Sequence, residues 1–238
     1  MLEVSGLIKK YGKANAVNDI SFSLSGGEVV GLLGPNGAGK STTIKCIVGL
    51  LRLNAGEIFI GGFHHLSVEA KKIFSYIPET PHVYDLLTVK EHLQFVAQAY
   101  GVQNWREKAE TLLEVYELTD KRDKLGRDLS KGMRQKVSIC CALLPDPQVL
   151  FFDEPMIGLD PKAIKNTKKI FRELKDQGKT ILVSTHLIDS VELIADRIMI
   201  MKDGNILGND TLANLKTKFS SEHNSSLEDL FLELTKDE

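Results

Sequence analysis

Residues 34–41 have the types and the spacing of a loop that binds phosphate. They read Gly-Pro-Asn-Gly-Ala-Gly-Lys-Ser and fit G-x-x-x-x-G-K-[ST] at every fixed position. Glycine lets consecutive backbone N–H groups curl around phosphate oxygens, Lys40 places a positive charge beside them, and the Ser41 hydroxyl can ligate Mg²⁺. The other residues that we expect to contact the phosphates are Asn36, Gly37, Ala38, Gly39 and Thr42.

An acidic pair, Asp153–Glu154, follows four apolar residues at 149–152. A buried strand that ends in a carboxylate suits a metal ion bound to phosphate, so we expect Asp153 to hold Mg²⁺ through water. Because side chains alternate along a strand, Glu154 should point another way, which suits a general base that polarises an attacking water. Taken alone, the pair also fits a helix start, since Pro155 follows and acidic residues favour helix N-termini.

The segments on either side of the glycine loop have the patterns that a phosphate loop requires. Val29–Leu33 is an apolar run after the turn signal Gly26–Gly27 and predicts a buried strand. Apolar residues then recur at helical spacing from 44 to 51. A strand that leads into the loop and a helix that leaves it distinguish a phosphate loop from a chance match in a glycine-rich turn.

The rest of the chain predicts an α/β core that is split by a helical insertion. Short β-like runs come first, helical periodicity dominates over 79–144, and strands then alternate with helices as far as a hairpin around Asp203–Gly204. We therefore expect one domain over 1–238, in which 1–78 and 145–238 form the α/β core and 79–144 forms a helical subdomain.

Several helix starts carry capping residues. Thr88–Glu91 has the spacing of a capping box, and Ser130 is expected to begin a further helix of the insertion. Near the end of the chain, Ser225–Glu228 again has capping-box spacing, and apolar residues follow it at helical intervals. We expect a short helix over 225–236 to dock on the core.

Composition argues against several classes of protein. The formal net charge is −2, and Lys9–Lys10 and Lys71–Lys72 are too sparse for a basic patch, so we expect no nucleic-acid partner. The opening segment has no apolar run typical of a signal peptide. No run approaches the roughly 18 apolar residues that a spanning helix requires. If the protein works at a membrane, we expect another chain to supply the spans.

Cysteine and histidine give no metal-binding pattern. Cys46, Cys140 and Cys141 lack C-x-x-C spacing, which favours neither zinc nor a disulfide framework, and we expect buried cysteines in a reducing compartment. The histidines that we expect in polar loops or at the surface are His64, His65, His82 and His92.

Residues 129–133, about twenty residues before the acidic pair, read Leu-Ser-Lys-Gly-Met. They resemble the signature motif of ABC-type ATPases, commonly Leu-Ser-Gly-Gly-Gln, with departures at Lys131 and Met133. Ser130 can cap a helix and offer a hydroxyl to a γ-phosphate, and Gly132 allows close backbone approach. This segment taken alone fits an ordinary capped helix equally well.

Further motifs come in the order typical of the ABC family. Gly158-Leu159-Asp160 resembles the D-loop, in which Asp160 would lie near the facing subunit. His186, after the predicted strand TILVST, resembles the switch histidine that reaches the γ-phosphate and orients water. Tyr11 resembles the aromatic residue that stacks on adenine, although an ordinary half-buried tyrosine is the alternative. Glu79 stands where the family usually has a glutamine that senses Mg²⁺ and water, and its carboxylate could still bind the metal.

The resemblance covers about residues 2–234 and implies both a fold and a function. The fold would be a P-loop NTPase core with a mixed sheet, an antiparallel β subdomain and an inserted helical subdomain. The function would be hydrolysis of ATP with Mg²⁺ by two copies or two related chains, arranged head to tail around two ATP molecules. Each site would combine the phosphate loop, the acidic pair and His186 of one chain with Ser130 and Gly132 of the other.

The resemblance also implies that the groove beside Glu79 would receive helices from a separate transmembrane permease. The protein would then lie at the cytoplasmic face of the cell membrane, held there by that partner. The segments SKGM, IPE and SLEDLFLEL resemble exporter ATPases and favour export. An ABC-type ATPase in a soluble role is the alternative, although such members usually carry a coiled coil or two ATPase domains. A P-loop kinase or GTPase is a third interpretation, but a GTPase needs an NKxD-type motif that this sequence lacks.

Overall fold

The structure, a computed structural model, describes residues 1–186, 188–219 and 227–235. Its strands are β1 (Leu2–Tyr11), β2 (Ala14–Leu24), β3 (Val29–Leu33), β4 (Ala55–Ile60), β5 (Phe63–His64), β6 (Phe74–Ile77), β7 (Val149–Asp153), β8 (Thr180–Thr185), β9 (Arg197–Lys202) and β10 (Asn205–Asp210). Its helices are α1 (Lys40–Ile47), α2 (Val68–Ile73), α3 (Val89–Tyr100), α4 (Trp105–Val115), α5 (Lys131–Leu143), α6 (Pro161–Asp176), α7 (Ile188–Glu192), α8 (Leu212–Phe219) and α9 (Leu227–Thr235).

The strands form two sheets. A four-stranded antiparallel sheet has the order β2-β1-β4-β5, and a six-stranded mixed sheet has the order β10-β9-β3-β8-β7-β6. In the mixed sheet, β9, β3, β8, β7 and β6 run parallel, and only β10 is antiparallel. The mixed sheet, the antiparallel sheet and the helices between β6 and β7 are those that the sequence predicted.

The mixed sheet is covered on both faces, which is why its strands are continuous apolar runs. All five residues of β3 and of β7 are buried. Side chains alternate between the faces: Leu150 and Phe152 pack with the inserted helices, whereas Val149 and Phe151 pack with α1 and the antiparallel sheet. The sheet therefore separates two apolar layers and is held rigidly between them.

The carboxyl ends of four parallel strands meet at one edge of this sheet. The pairings Leu33 with Thr185, Asp153 with Ser184, and Ile77 with Phe152 bring the ends of β3, β8, β7 and β6 side by side. The glycine loop, the acidic pair, His186 and Glu79 follow these ends directly. Ligands of open α/β sheets bind outside the carboxyl ends of the strands, so the register brings the predicted site residues together.

Patterns within a few residues of sequence predicted most of the helices and strands, whereas the missed strand β6 depends on pairing with a strand that is distant in the sequence. β3 has the predicted bounds, Thr88 and Glu91 form both bonds of a capping box, and Ser130 caps α5. The strands and helices that the sequence did not predict are β5, α2, β6 and α8. β6 has only four residues and is defined by its pairing with β7, about 75 residues later.

Two histidines are buried, and the prediction that they lie in polar loops or at the surface was wrong. The exposed fraction is 2% for His65 and 5% for His92. His65 contacts the Ile47 carbonyl through Nδ1 at 3.0 Å. Nε2 of His92 accepts a bond from the Tyr84 backbone N–H at 2.8 Å, which ties the segment before α3 to that helix. Each ring satisfies a buried backbone group, which spacing along the chain does not reveal.

The C-terminal helix α9 docks on the core through its apolar face. Leu227 and Leu230 are fully buried with Val191 of α7 and Ile198 of β9. The described helix begins at Leu227, so the predicted capping residue Ser225 lies outside the described residues. Docking itself agrees with the expectation from the apolar spacing.

Leu230→Ala should loosen α9, because removing a buried leucine side chain costs about 2–5 kcal/mol. Hydrogen exchange of the α9 amides should be faster in this variant. Leu232→Ala is the matched control, since Leu232 lies on the same helix with 52% of its surface exposed. Equal exchange rates in the two variants would contradict the docking.

Candidate functional site

A cavity of about 390 Å³ opens at the carboxyl edge of the mixed sheet. Segments far apart in the sequence form it: the glycine loop after β3, Glu79 after β6, Glu154 after β7 and His186 after β8. The lining residues are Ala16, Asn36, Gly37, Ala38, Gly39, Lys40, Ser41, Thr42, Glu79, Glu154, Ile157 and His186. The structure thus brings most of the predicted site residues together.

The glycine loop takes a conformation that side chains would block. Gly39 has φ +104°, and a Cβ atom there would lie 2.3 Å from the carbonyl oxygen of Ala16. Gly39 is also the N-cap of α1 and provides no side-chain hydrogen bond to that helix. The first N–H groups of a helix lack intrahelical acceptors, and the helix dipole favours an anion there. The loop and α1 together therefore form an anion-binding site.

Lys40 is held over this loop by backbone carbonyls. Its Nζ donates to the carbonyl oxygens of Gly34 at 2.7 Å and Pro35 at 3.2 Å, and only 7% of the residue is exposed. Burial lowers the pKa of Lys40, whereas the charges of Glu154, Asp153 and Glu79 oppose that shift. The ammonium group is thus placed among acceptors and acidic groups, where it can also bind a phosphate oxygen.

Asp153 is 1% exposed and lies beneath the cavity. Its Oδ1 accepts hydrogen bonds from the hydroxyls of Ser41 at 2.8 Å and Ser184 at 2.7 Å. Its Oδ2 is buried and has no hydrogen-bond partner among the residues that the structure describes. A carboxylate oxygen that is free for a ligand, beside a serine hydroxyl, is a donor set that suits Mg²⁺. The sequence analysis missed Ser184, which lies in β8, a strand of sequence TILVST.

Glu154 and His186 form a pair at the cavity wall. Nδ1 of His186 lies 3.0 Å from Oε1 of Glu154, and the backbone N–H of Glu154 donates to the carbonyl of Ser184 at 3.0 Å. Glu154 was expected to diverge from Asp153 by strand alternation, but that reason was wrong. β7 ends at Asp153, and Glu154 has φ +51°, so the left-handed backbone turns its side chain towards His186. Such a conformation costs roughly 1–2 kcal/mol and is typical of functional sites.

Comparison with known proteins gives one family. The sequence profile of the family described as "ABC transporter" matches residues 17–157. The chain is 37% identical to the ABC-type transporter ATP-binding protein EcsA of Bacillus subtilis, over 100% of this chain and 98% of that one. The chain belongs to the ABC transporter family. Within that family it is an ATP-binding subunit, and it is an ATPase.

Solved structures of ABC transporter subunits share the fold. One described as the ATP-binding subunit of an ABC transporter has a TM-score of 0.94 and 39% sequence identity, and the match covers 99% of this chain and 100% of that one. Another, the ATP-binding cassette MJ0796 in a dimeric post-hydrolysis state with ADP and Pi, has a TM-score of 0.77 and 27% identity, covering 89% and 99%. These likenesses confirm the predicted P-loop NTPase fold.

Some residues that the ABC resemblance assigns to the nucleotide site do not line the cavity of their own chain. They are Tyr11, Ser130, Gly132 and Asp160. Tyr11 has 53% of its surface exposed, and Nζ of Lys9 lies 5.3 Å from its ring centroid. Ser130 is exposed, and its hydroxyl caps α5 by accepting the Met133 N–H at 3.3 Å. The structure therefore does not bring Tyr11 or Ser130 to the phosphate loop.

The signature segment and the D-loop instead contact each other. A Cβ atom on Gly132 would lie 2.5 Å from the carbonyl oxygen of Gly158, so only glycine permits this approach. Asp160 caps α6 by accepting the Ala163 N–H at 2.8 Å, and its other oxygen lies 2.7 Å from Nζ of Lys136. These contacts hold the start of α5 against the start of α6.

Lys40→Ala should weaken ATP binding about 10–100-fold, because a hydrogen bond to a charged group contributes roughly 1.5–3 kcal/mol. Titration with a fluorescent ATP analogue would measure the change. Lys45→Ala removes a lysine from the same helix outside the cavity lining and serves as the control. Equal affinity of the two variants would show that the Lys40 charge does not reach the nucleotide.

Proposed function

We propose that this subunit hydrolyses ATP with Mg²⁺ in a head-to-tail dimer and drives export through a separate permease. The observation that carries this proposal is the Glu154–His186 pair, which faces the phosphate loop across one cavity. An acidic base beside a group that can orient water is the arrangement that attack on a γ-phosphate requires. The chain could be paired with an identical copy or with a related subunit.

The predicted site residues at and beneath the cavity each have a role in this proposal. The backbone N–H groups of residues 36–42 and the Lys40 ammonium group bind the phosphates. Ser41, Asp153 and Glu79 are the oxygen donors placed to hold Mg²⁺, which would neutralise developing charge when bound. Glu154 takes the proton of the attacking water, and His186, 3.0 Å from it, orients that water and the γ-phosphate.

The exposed position of Ser130 supports a site that two chains share. Ser130 and Gly132 lie at the start of α5, outside the cavity of their own chain, and α5 starts against the D-loop. The Lys136–Asp160 ion pair, with 11% of the lysine side chain exposed, ties these two segments together. A facing subunit would then contact the signature segment and the D-loop together, as one rigid surface. Tyr11, with 53% of its surface exposed, would be accessible for stacking on adenine.

A second cavity beside Glu79 is the proposed contact for the permease. It has a volume of about 300 Å³ and is lined in part by Tyr84, Phe95 and Tyr100, each of which is about half exposed. Exposed aromatic residues around a groove are typical of protein contacts. None of the helices in the described ranges is long and apolar enough to cross a bilayer. We place the subunit at the cytoplasmic face of the membrane, held there by its permease.

The direction of transport is inferred from relatives. The SkfA peptide export ATP-binding protein SkfE of Bacillus subtilis is 36% identical over 87% of this chain and 87% of that one. The linearmycin resistance ATP-binding protein LnrL of the same organism is 35% identical over 93% of this chain and 73% of its own length. The names of these two relatives concern export and resistance, which supports export here and disfavours a soluble role.

Glu154→Gln should keep ATP binding but abolish turnover, because the amide cannot accept the proton of water. We expect this variant to form a stable ATP-dependent dimer in size-exclusion chromatography with light scattering. Adding Ser130→Arg to it should prevent the dimer, while ATP still binds to the monomer, since Ser130 lies outside the cavity. Rapid turnover by Glu154→Gln, or an unaltered dimer in the double variant, would sink the shared-site proposal.

The permease can be sought directly by purifying the chain from detergent-solubilised membranes. We expect one multi-spanning membrane protein in stoichiometric amount, identified by mass spectrometry. Phe95→Asp should release it, because a carboxylate in an apolar contact loses hydration. Leu193→Asp is a control at another exposed apolar residue, outside the groove. Equal recovery with both variants would place the contact elsewhere.

A further inference from the structure

Three buried side-chain oxygens have no hydrogen-bond partner among the described residues: the Tyr76 hydroxyl, Oδ2 of Asp153 and Oε1 of Gln135. Gln135 is held through its Nε2, which donates to the Pro155 carbonyl at 3.2 Å, whereas the other two oxygens belong to the neighbouring strands β6 and β7. Buried polar groups are almost always paired, because desolvation without a compensating bond is costly. Two unpaired oxygens at one place therefore point to an interaction that the site completes when it works.

The strand register explains why these oxygens are neighbours. Tyr76 of β6 is directly paired with Phe151 of β7, so Asp153 is its diagonal neighbour one pleat further on. Tyr76 packs with the same apolar layer as Phe74 and Phe151, which is the face that Asp153 also occupies by alternation. A diagonal neighbour lies within reach of a long aromatic side chain.

The chemistry of the two groups agrees with this placement. A tyrosine hydroxyl is protonated at neutral pH and can donate, whereas an ionised carboxylate can only accept. Asp153 offers only Oδ2 to it, because Oδ1 already accepts from Ser41 and Ser184.

We propose that Tyr76 is a positioning residue for the metal-binding carboxylate: its hydroxyl donates to one lone pair of Oδ2 of Asp153, directly or through one water, and so orients the other lone pair towards the water through which Mg²⁺ would be held. This inference rests on the proposed role of Asp153. Two serines and one tyrosine then hold the carboxylate from three directions. Groups that orient a metal ligand in this way typically contribute 10–100-fold to metal affinity.

The test compares the affinity for ATP with and without Mg²⁺. Calorimetry measures ATP binding once in a buffer with Mg²⁺ and once in a buffer with EDTA, and the ratio of the two affinities is the gain that Mg²⁺ provides. In Tyr76→Phe we expect this gain to fall about 10-fold, with metal-free ATP affinity and melting temperature unchanged. Tyr116→Phe is the matched control, because it removes a buried hydroxyl that contacts Thr167 at 3.2 Å, away from the cavity. That variant should keep the full gain.

Three results would overturn the inference, and they are distinguishable. If Tyr76→Phe keeps the wild-type gain, Tyr76 does not position Asp153, while the proposed Mg²⁺ site stands. If the wild type itself shows no gain with Mg²⁺, the metal site at Asp153 fails and the inference fails with it. A loss of the same size in Tyr116→Phe would assign the effect to general loosening of the fold and would also overturn it.

Discussion

The buried carboxylate of Asp153 is the constraint on which the site depends. A carboxylate that is 1% exposed is unfavourable unless hydrogen bonds or a cation compensate for its lost hydration. Here the hydroxyls of Ser41 and Ser184 both reach Oδ1, so the start of α1, the end of β7 and the end of β8 are joined at one atom. The distance between phosphate loop and acidic pair is fixed as a consequence.

Around this fixed point, the site uses backbone conformations that ordinary side chains avoid. Gly39 turns the loop where a Cβ atom would clash with the carbonyl of Ala16, and Glu154 takes a left-handed conformation that directs it to His186. Strain of this kind persists only where the surroundings impose it. The two covered faces of the mixed sheet supply that rigidity, and the residues that must react lie at its open edge.

The inserted helices serve a different purpose, because Ser130 and Gly132 of their signature segment are not among the residues that line the cavity of the same chain. Gly132 permits contact with the Gly158 carbonyl, and the Lys136–Asp160 ion pair reinforces it. The contact between the signature segment and the D-loop thus forms a fixed surface whose residues Ser130, Gly132 and Asp160 do not line the cavity of the same chain. In our proposal a facing subunit makes use of it, which would couple ATP binding to association of the two chains.

How much the sequence could predict depended on whether a feature is local. The phosphate loop is eight consecutive residues: it follows β3 directly, and its last two residues, Lys40 and Ser41, begin α1, which is the strand–loop–helix order that the sequence predicted. The direction of Glu154, by contrast, was attributed to strand alternation, whereas a positive φ decides it. His65 and His92 were taken for polar loop or surface residues because nothing nearby in the sequence shows the backbone groups that they satisfy.

The sequence by itself determined the phosphate loop, the acidic pair, the capped helices and the order of motifs, because each depends on side-chain types within a few residues. Only the tertiary structure decided that Ser184 shares Asp153 with Ser41, that Tyr76 lies beside the same carboxylate, and that Ser130 lies outside its own cavity. The physical reason is register: pairing between strands that are distant in the chain sets which side chains meet, and a one-residue shift would turn them to the opposite face.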